Sequence, residues 1–430
     1  MPMTFADFIQ LHKHDDPVRL LLSRDKYPDI DLDLAVTTLE VRKKLKTKVP
    51  EWYAVPSLVY PSRLSGEQCS SSETARYKAE VACCHSERSE ESVKIADLTG
   101  GMGVDCWAFA QVAGEVLYNE MQEGLARATE LNFRELGVEN VRFSCKKVEV
   151  GKVREVLDGF EPDVIFLDPA RRAEDGRKVF LIEECQPDVL GLLLELFAES
   201  RFVLLKLSPM ADITMVCKRL GEHVKEVHVV AAGGECKELL FLLDREWQGS
   251  RSTFVVEDGT VMEIPGQAGN DGSSQAGNDG SSQAGNDGVR HGRPDRPSDV
   301  LCAGSILFEP GKALAKAGAF DLPCRFGLAK LGMHTHLYVG GAVPAELAPF
   351  GKVFEIVDVL PLNNRTMKEA GKLWPQAEVT ARNVPMTSDL LRKKLGCASG
   401  GDTHLFGVRV DAASESGNYL IVTKKRYGTD

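Results

Sequence analysis

From Val93 to Asp244 the chain repeats one rhythm: a short apolar run, a polar loop, then a stretch with helical spacing. The apolar runs are V93-KIADLT, E115-VLYNE, V141-RFS, D163-VIFLD and F202-VLLKL. D163-VIFLD and F202-VLLKL are near-continuous rather than alternating, which is the pattern of strands buried on both faces. Helical patterns at about Asp105–Val112, Gly124–Leu136 and Glu183–Glu199 supply the covers that such a sheet needs. V224-KEVHVVAA and E238-LLFLLD read as a closing antiparallel pair, with a hairpin turn in G233-GECKE238. The rhythm therefore predicts an α/β fold with a parallel, doubly covered sheet over residues 93–247. In such a sheet ligands bind at the carboxyl ends of the strands.

At 430 residues the chain is too long for one ordinary core. Residues 1–82 read as a helical region, through V18-RLLLS, L32-DLAVTTLEVRKKL and S70-SSETARYKAEVA. Residues 83–92, with C84-HSERSEES92, form a polar, charge-alternating insertion. Over 248–299, T253-FVVEDGTVMEIP265 is expected to form a hairpin around Asp258-Gly259. It is followed by an eight-residue unit repeated through G266-QAGNDGSSQAGNDGSSQAGNDG288. That repeat has no large apolar side chain to offset its ordering entropy, and reads as a flexible insertion. Residues 300–341 make one small mixed unit, with L301-CAGSILFEP and G311-KALAKAGAF. Residues 342–430 make a second α+β unit, from F350-GKVFEIVDVLPL to Y419-LIVTK.

The net charge of −11 opposes indiscriminate nucleic-acid binding, which depends on phosphate neutralisation. Local basic sites remain open at R42-KKLKTK48, Arg171–Arg172 and R392-KK394. The eleven cysteines contain no C-x-x-C pair, so neither a disulfide framework nor a zinc site is expected. The close pair His334 and His336 reads as a surface strand before a metal site, and no metal is expected. With no apolar run of about 18 residues and no signal-peptide core, the chain is expected to be cytoplasmic and independent of membranes.

The chemistry concentrates in three loops. In I95-ADLTGGMGVD105 a strand ends at Asp97, glycines make the turn and a helix follows. Glycine there permits close backbone approach, beside the free N–H groups of a helix N-terminus. The dinucleotide fingerprint fails, because the place of its third glycine is taken by Cys106. No G-x-x-x-x-G-K-[ST] occurs, which removes the common nucleotide-hydrolase reading. Seventeen residues past Gly103, the second strand ends at Glu120, where a carboxylate can accept from ribose hydroxyls. Asp97, Gly101, Gly103 and Glu120 together suit an adenosine-containing ligand without a pyrophosphate. The third loop is D168-PARR172, at the end of the fourth strand.

D97-LTGGMG, Glu120 and D168-PAR resemble motifs of class I S-adenosylmethionine-dependent methyltransferases, with Thr99 where a first glycine usually stands. The layout of helical region, Rossmann-like core, F308-EPGKALAKAGAF unit and A381-RNVPMTSDLLRKKLG segment resembles one bacterial family of methyltransferase-type proteins. These carry a ferredoxin-like unit and a C-terminal THUMP-like domain, here residues 300–341 and 342–430. The resemblance covers nearly the whole chain and implies S-adenosyl-L-methionine as cofactor and RNA as partner. It assigns Asp97, Thr99, Gly100, Gly101, Gly103, Asp105 and Glu120 to the cofactor, and Asp168, Pro169 and Arg171 to catalysis. Arg172, Lys206 and Ser208 are candidate substrate residues.

Two departures matter. The third strand, V141-RFSCKKVEV, lacks the acidic residue that many relatives offer to adenine. After Pro169 stand Ala170 and Arg171 instead of an aromatic ring, so Arg171 would have to stack on a base or hold a phosphate. L205-KLSPM210 contains no cysteine, which disfavours covalent uracil-C5 chemistry. The expected activity is methylation of RNA at a base nitrogen. The rivals are a protein or small-molecule methyltransferase and a non-catalytic, cofactor-binding RNA-interaction protein.

Overall fold

The computed structural model describes residues 3–85, 92–171, 181–265, 301–411 and 416–426, without the Arg171 side chain. Most of the HSERSEES stretch, Arg172 and the QAGNDGSS repeat lie outside the described residues. The chain divides into two compact units, residues 1–230 with 237–252 and residues 231–236 with 253–430.

In the first unit the N-terminal region is helical as its spacing predicts. Helix α1 (Leu32–Lys48) is capped by the Asp31 side chain and buries Leu32, Ala35, Val36 and Leu39 at i, i+3, i+4 and i+7. Helix α2 (Ser72–Cys84) is capped by Ser71, and its buried stripe includes Lys78, a charge at a core position. This region packs through aromatic rings: Trp52 stacks on Tyr60 and meets Trp107 and Phe133 edge-on. The Asn132 amide then bonds both the N–H and the C=O of Val59, each at 2.8 Å.

The expected alternation follows as β1 (Lys94–Asp97), α3 (Val104–Ala110), β2 (Glu115–Asn119), α4 (Glu123–Glu135), β3 (Val141–Ser144) and β4 (Val164–Leu167). It continues with α5 (Val189–Glu199), β5 (Phe202–Leu207), α6 (Ile213–Leu220), β6 (Val224–Ala232) and β7 (Glu235–Asp244). These strands lie in the order β6-β7-β5-β4-β1-β2-β3. The neighbours β3, β2, β1, β4 and β5 are parallel, and β7 runs antiparallel to β5. Every residue of β4 is buried, as a doubly covered strand requires. The order reverses between β1 and β4, so the crevice for a ligand opens above their carboxyl ends.

The helix expected over Glu183–Glu199 begins only at Val189. Pro187 has no N–H to give to a helix interior, and the Asp188 side chain caps α5 by accepting from the Gly191 N–H. The segment before it pairs Cys185–Gln186 with Ala170–Arg171 as a two-residue antiparallel ladder.

The second unit opens with the expected hairpin, β8 (Ser252–Glu257) and β9 (Thr260–Glu263), turning at Asp258 and Gly259 with φ of 46° and 79°. A seven-stranded sheet follows, from β10 (Ile306–Pro310), β11 (Ala329–Lys330), β12 (Tyr338–Gly340), β13 (Gly351–Pro361), β14 (Glu378–Arg382), β15 (Thr403–Asp411) and β16 (Ser416–Lys425). Its order is β11-β12-β10-β13-β16-β15-β14. The long strand β13 pairs with β10 on one edge and β16 on the other, so residues on either side of 341 share one sheet. His334 and His336 are not in a strand: His336 sits at φ 49° with its ring 3.9 Å from that of Phe320.

The basic run at Arg42 is partly structural. The buried Arg42 guanidinium donates to the carbonyls of Val55 and Tyr53 at 2.7 and 2.6 Å, and Lys44 pairs with Glu67. Replacing Arg42 by Met should lower unfolding stability by roughly 2–3 kcal/mol, since two carbonyls lose a charged donor. A urea titration checks this; an unchanged midpoint would return Arg42 to the candidate RNA-contact residues.

Candidate functional site

The glycine loop is held from three sides. Asp97 ends β1 almost fully buried, and its Oδ1 accepts from the Thr99 N–H at 3.1 Å. A Cβ on Gly100 would lie 2.2 Å from the Tyr118 ring, so the loop can cross β2 only as glycine. The Tyr118 hydroxyl donates to the Gly101 carbonyl at 2.6 Å. Gly103, at φ 89°, starts α3 against Thr129 and Phe133 with no room for a side chain.

Glu120, just past β2, is 8% exposed and fixed by backbone donors. Its Oε2 accepts from the Gly101 N–H at 3.0 Å and its Oε1 from the Gln122 N–H at 2.8 Å. Each oxygen keeps a lone pair for a ligand. Asn119 ties this edge to the loop after β3, donating to the Leu98 and Lys146 carbonyls and accepting from the Lys146 N–H.

Asp168 follows β4 on the other side of the crevice. Its N–H donates to Thr99 Oγ1 at 2.6 Å, so the residue that departs from the usual glycine joins the two loops. Its carboxylate is ion-paired with Lys206, which comes from β5. Burial works against the Lys206 ammonium, but Asp168, Glu238 and Asp105 outweigh it and raise its pKa. Lys206 therefore stays cationic.

A cavity of about 250 Å³ unites these parts. Its walls are Leu98–Asp105, Asn119–Gln122, Lys146–Val148, Asp168, Ala170 and the Gln186–Pro187 segment. Thr99, Gly100, Gly101, Gly103, Asp105, Glu120 and Asp168 thus meet in one space. Asp97 lies beneath the loop rather than on the wall. Pro169 and Ser208 are not among the lining residues, and the Ser208 hydroxyl accepts from the Met210 N–H in its own turn.

Sequence reasoning missed one wall entirely. Ser65, Gln68, Cys69 and Ser70, from the helical region, line the same cavity. No local pattern announces them, because their closeness to the glycine loop is a long-range contact. Among the described residues no group of three or more His, Cys, Asp or Glu is arranged to hold a metal, and no helix is long and apolar enough to cross a membrane.

Asp105, Glu120 and Asp168 line the cavity together with Lys146 and Lys147. Asp97 is pushed well above the usual carboxylate range by burial first, then by Asp105, Asp168 and Glu120, and its Oδ2 has no hydrogen-bond partner.

The strand order, the glycine loop and the acidic β2 end form a Rossmann-like methyltransferase core, with a helical N-terminal region and small C-terminal α+β domains. Residues 351–425 match the family described as THUMP domain-like, and residues 307–346 match a ferredoxin-like domain. The chain resembles, over 99% of its length and 98% of the other chain, a crystal structure described as a "putative methyltransferase" from Porphyromonas gingivalis W83, at 28% identity and a TM-score of 0.78. It is also 31% identical over 94 residues to an "Uncharacterized RNA methyltransferase" of Enterococcus faecalis. That match spans 22% of this chain and 21% of the relative.

Thr99→Val keeps the side-chain shape but leaves the Asp168 N–H without its acceptor. A loss of about 1–3 kcal/mol in unfolding stability is expected by urea titration. No loss would mean that the bond does not join the two loops.

Proposed function

We propose that this protein is an S-adenosylmethionine-dependent methyltransferase that methylates RNA at a base nitrogen. The observation that carries the reading is the one cavity in which the glycine loop, Glu120 and Asp168 converge.

The residues fit the cofactor. Asp97, Asp105, Glu120 and Asp168 gather carboxylates around the crevice, and Asp97 resists ionisation through its burial first and then through these neighbouring carboxylates. A ligand bearing a sulfonium and an ammonium supplies positive charge beside these carboxylates. Glu120 would hold ribose hydroxyls, and the loop from Thr99 to Gly103 would let the backbone close on the ligand. Bound there, S-adenosylmethionine supplies an electrophilic methyl group.

The chain's own task is then to orient a nucleophile. Asp168, locked by Thr99 and Lys206, would accept a hydrogen bond from the target N–H and so aim the nitrogen lone pair. Pro169 restrains the backbone between Asp168 and the Ala170–Arg171 ladder. Among the described residues the cavity lining includes no aromatic ring, and Arg171, with Arg172 beside it in sequence, is assigned to stack on the base or hold a phosphate. RNA as substrate is supported by the THUMP-like and ferredoxin-like matches and by the description of the Enterococcus faecalis relative.

Nucleoside mass spectrometry of total RNA, with and without the gene, should show one methylated nucleoside missing from the deletion strain. An unchanged profile would favour a protein or small-molecule substrate, or a non-catalytic RNA-binding role. Asp168→Ala should abolish transfer and leave S-adenosylmethionine binding within about threefold by calorimetry; lost binding would reverse the division of roles.

The raised Asp97 pKa sets the sign of a pH dependence. A cationic ligand favours the carboxylate, so binding should release protons and strengthen as pH rises through the range above ordinary carboxylates. Calorimetry in buffers of different ionisation heat reads that release, and proton uptake on binding would contradict it.

A further inference from the structure

Beneath the cavity lies a chain of charges that the proposed mechanism uses only at one end. Lys78, on α2, is fully buried. Its Nζ is 2.6 Å from Glu238 Oε1 and 3.2 Å from Asp105 Oδ1. It also donates to Ser70 Oγ at 3.0 Å, and Ser70 Oγ donates to Asp105 Oδ2 at 2.9 Å. Glu238 lies on β7, where Leu240 is the partner of Lys206 on β5. Directly opposed residues share a sheet face, so Glu238 is the diagonal neighbour of Lys206 on that face. Lys206 in turn pairs with Asp168. The charges alternate without a break: Asp168, Lys206, Glu238, Lys78, Asp105.

An isolated lysine in a helix's apolar stripe would cost several kcal/mol of desolvation. Removing it would be simple for packing alone. Its partners are instead the residue that opens α3 after the glycine loop and the strand neighbour of the lysine that holds Asp168.

We propose that Lys78 and Glu238 are positioning residues of the active site, through which the N-terminal helical region sets the charge and geometry of the cofactor loop and of Asp168 together. This rests on the cavity being an S-adenosylmethionine site. Lys78 balances Asp105, which faces Asp97; the other titratable groups facing Asp97 are Glu120, Asp168, Cys106 and Tyr118. Losing the cation leaves Asp105 as an unbalanced neighbour and makes Asp97 harder to ionise. Losing Glu238 frees Lys78 and Lys206 to act on the remaining carboxylates and has the opposite effect.

The test measures S-adenosylmethionine affinity against pH for the full-length wild-type protein, Lys78→Met, Glu238→Gln and the double variant. The pH midpoint of binding should rise by about one unit in Lys78→Met, fall in Glu238→Gln, and return close to the wild-type value in the double variant, where the net charge is restored. A purely structural lysine would weaken folding and leave all midpoints unmoved, which would overturn the proposal.

Should Lys78→Met not fold, Glu238→Gln and the double variant still decide the result by the same midpoints. A urea-unfolding cycle of the same variants needs no ligand. The double variant should be more stable than Lys78→Met by on the order of tenfold in the unfolding equilibrium constant, and additive losses would overturn the charge chain. A wild-type protein that fails to bind S-adenosylmethionine removes the cofactor reading, and the unfolding cycle then decides the charge chain alone.

Discussion

The hydrogen bond from the Asp168 N–H to Thr99 Oγ1 joins the ends of two neighbouring parallel strands where the sheet order reverses. At that point the helices that follow β1 and β4 leave toward opposite faces, and a crevice opens by topology alone. Without a tie the two loops would be separate and free to splay. With it, the glycine turn and the carboxylate after β4 keep one spacing. A glycine in place of Thr99 would provide backbone freedom but no acceptor for that N–H.

Charge is the second constraint. Carboxylates stand at the ends of β1, β2 and β4 and in the first turn of α3, and burial first, then their repulsion, holds Asp97 toward its neutral form. The buried Lys78 and the partly buried Lys206 compensate part of that repulsion from below. The remaining imbalance faces the cavity. A ligand that carries positive charge relieves repulsion of this sign.

The second unit illustrates how a boundary drawn on composition can divide one folded object. Residues 307–346 and 351–425 match different domain families. Yet β13 offers both of its edges, one to β10 and one to β16, and a single seven-stranded sheet results. Pairing partners are long-range, and no local pattern names them.

The sequence by itself determined the sheet and the loops that bear the chemistry. Near-continuous apolar runs can be stable only with both faces covered, and glycines stand where a side chain would strike Tyr118 or Thr129. It also marked Glu120 and Asp168, because each ends an apolar run with a carboxylate. It misjudged the start of α5, where Pro187 overrode a helical pattern through its missing N–H. Only the tertiary structure decided that Ser65 to Ser70 wall the cavity, that Thr99 bridges to Asp168, and that Lys78 reaches Asp105 and Glu238. Lys78 did leave a trace, a charge on an apolar helical stripe, but the pattern could not say what it faced. Periodicity records which side of an element is buried; which residue meets it there is set by packing between segments far apart in the chain.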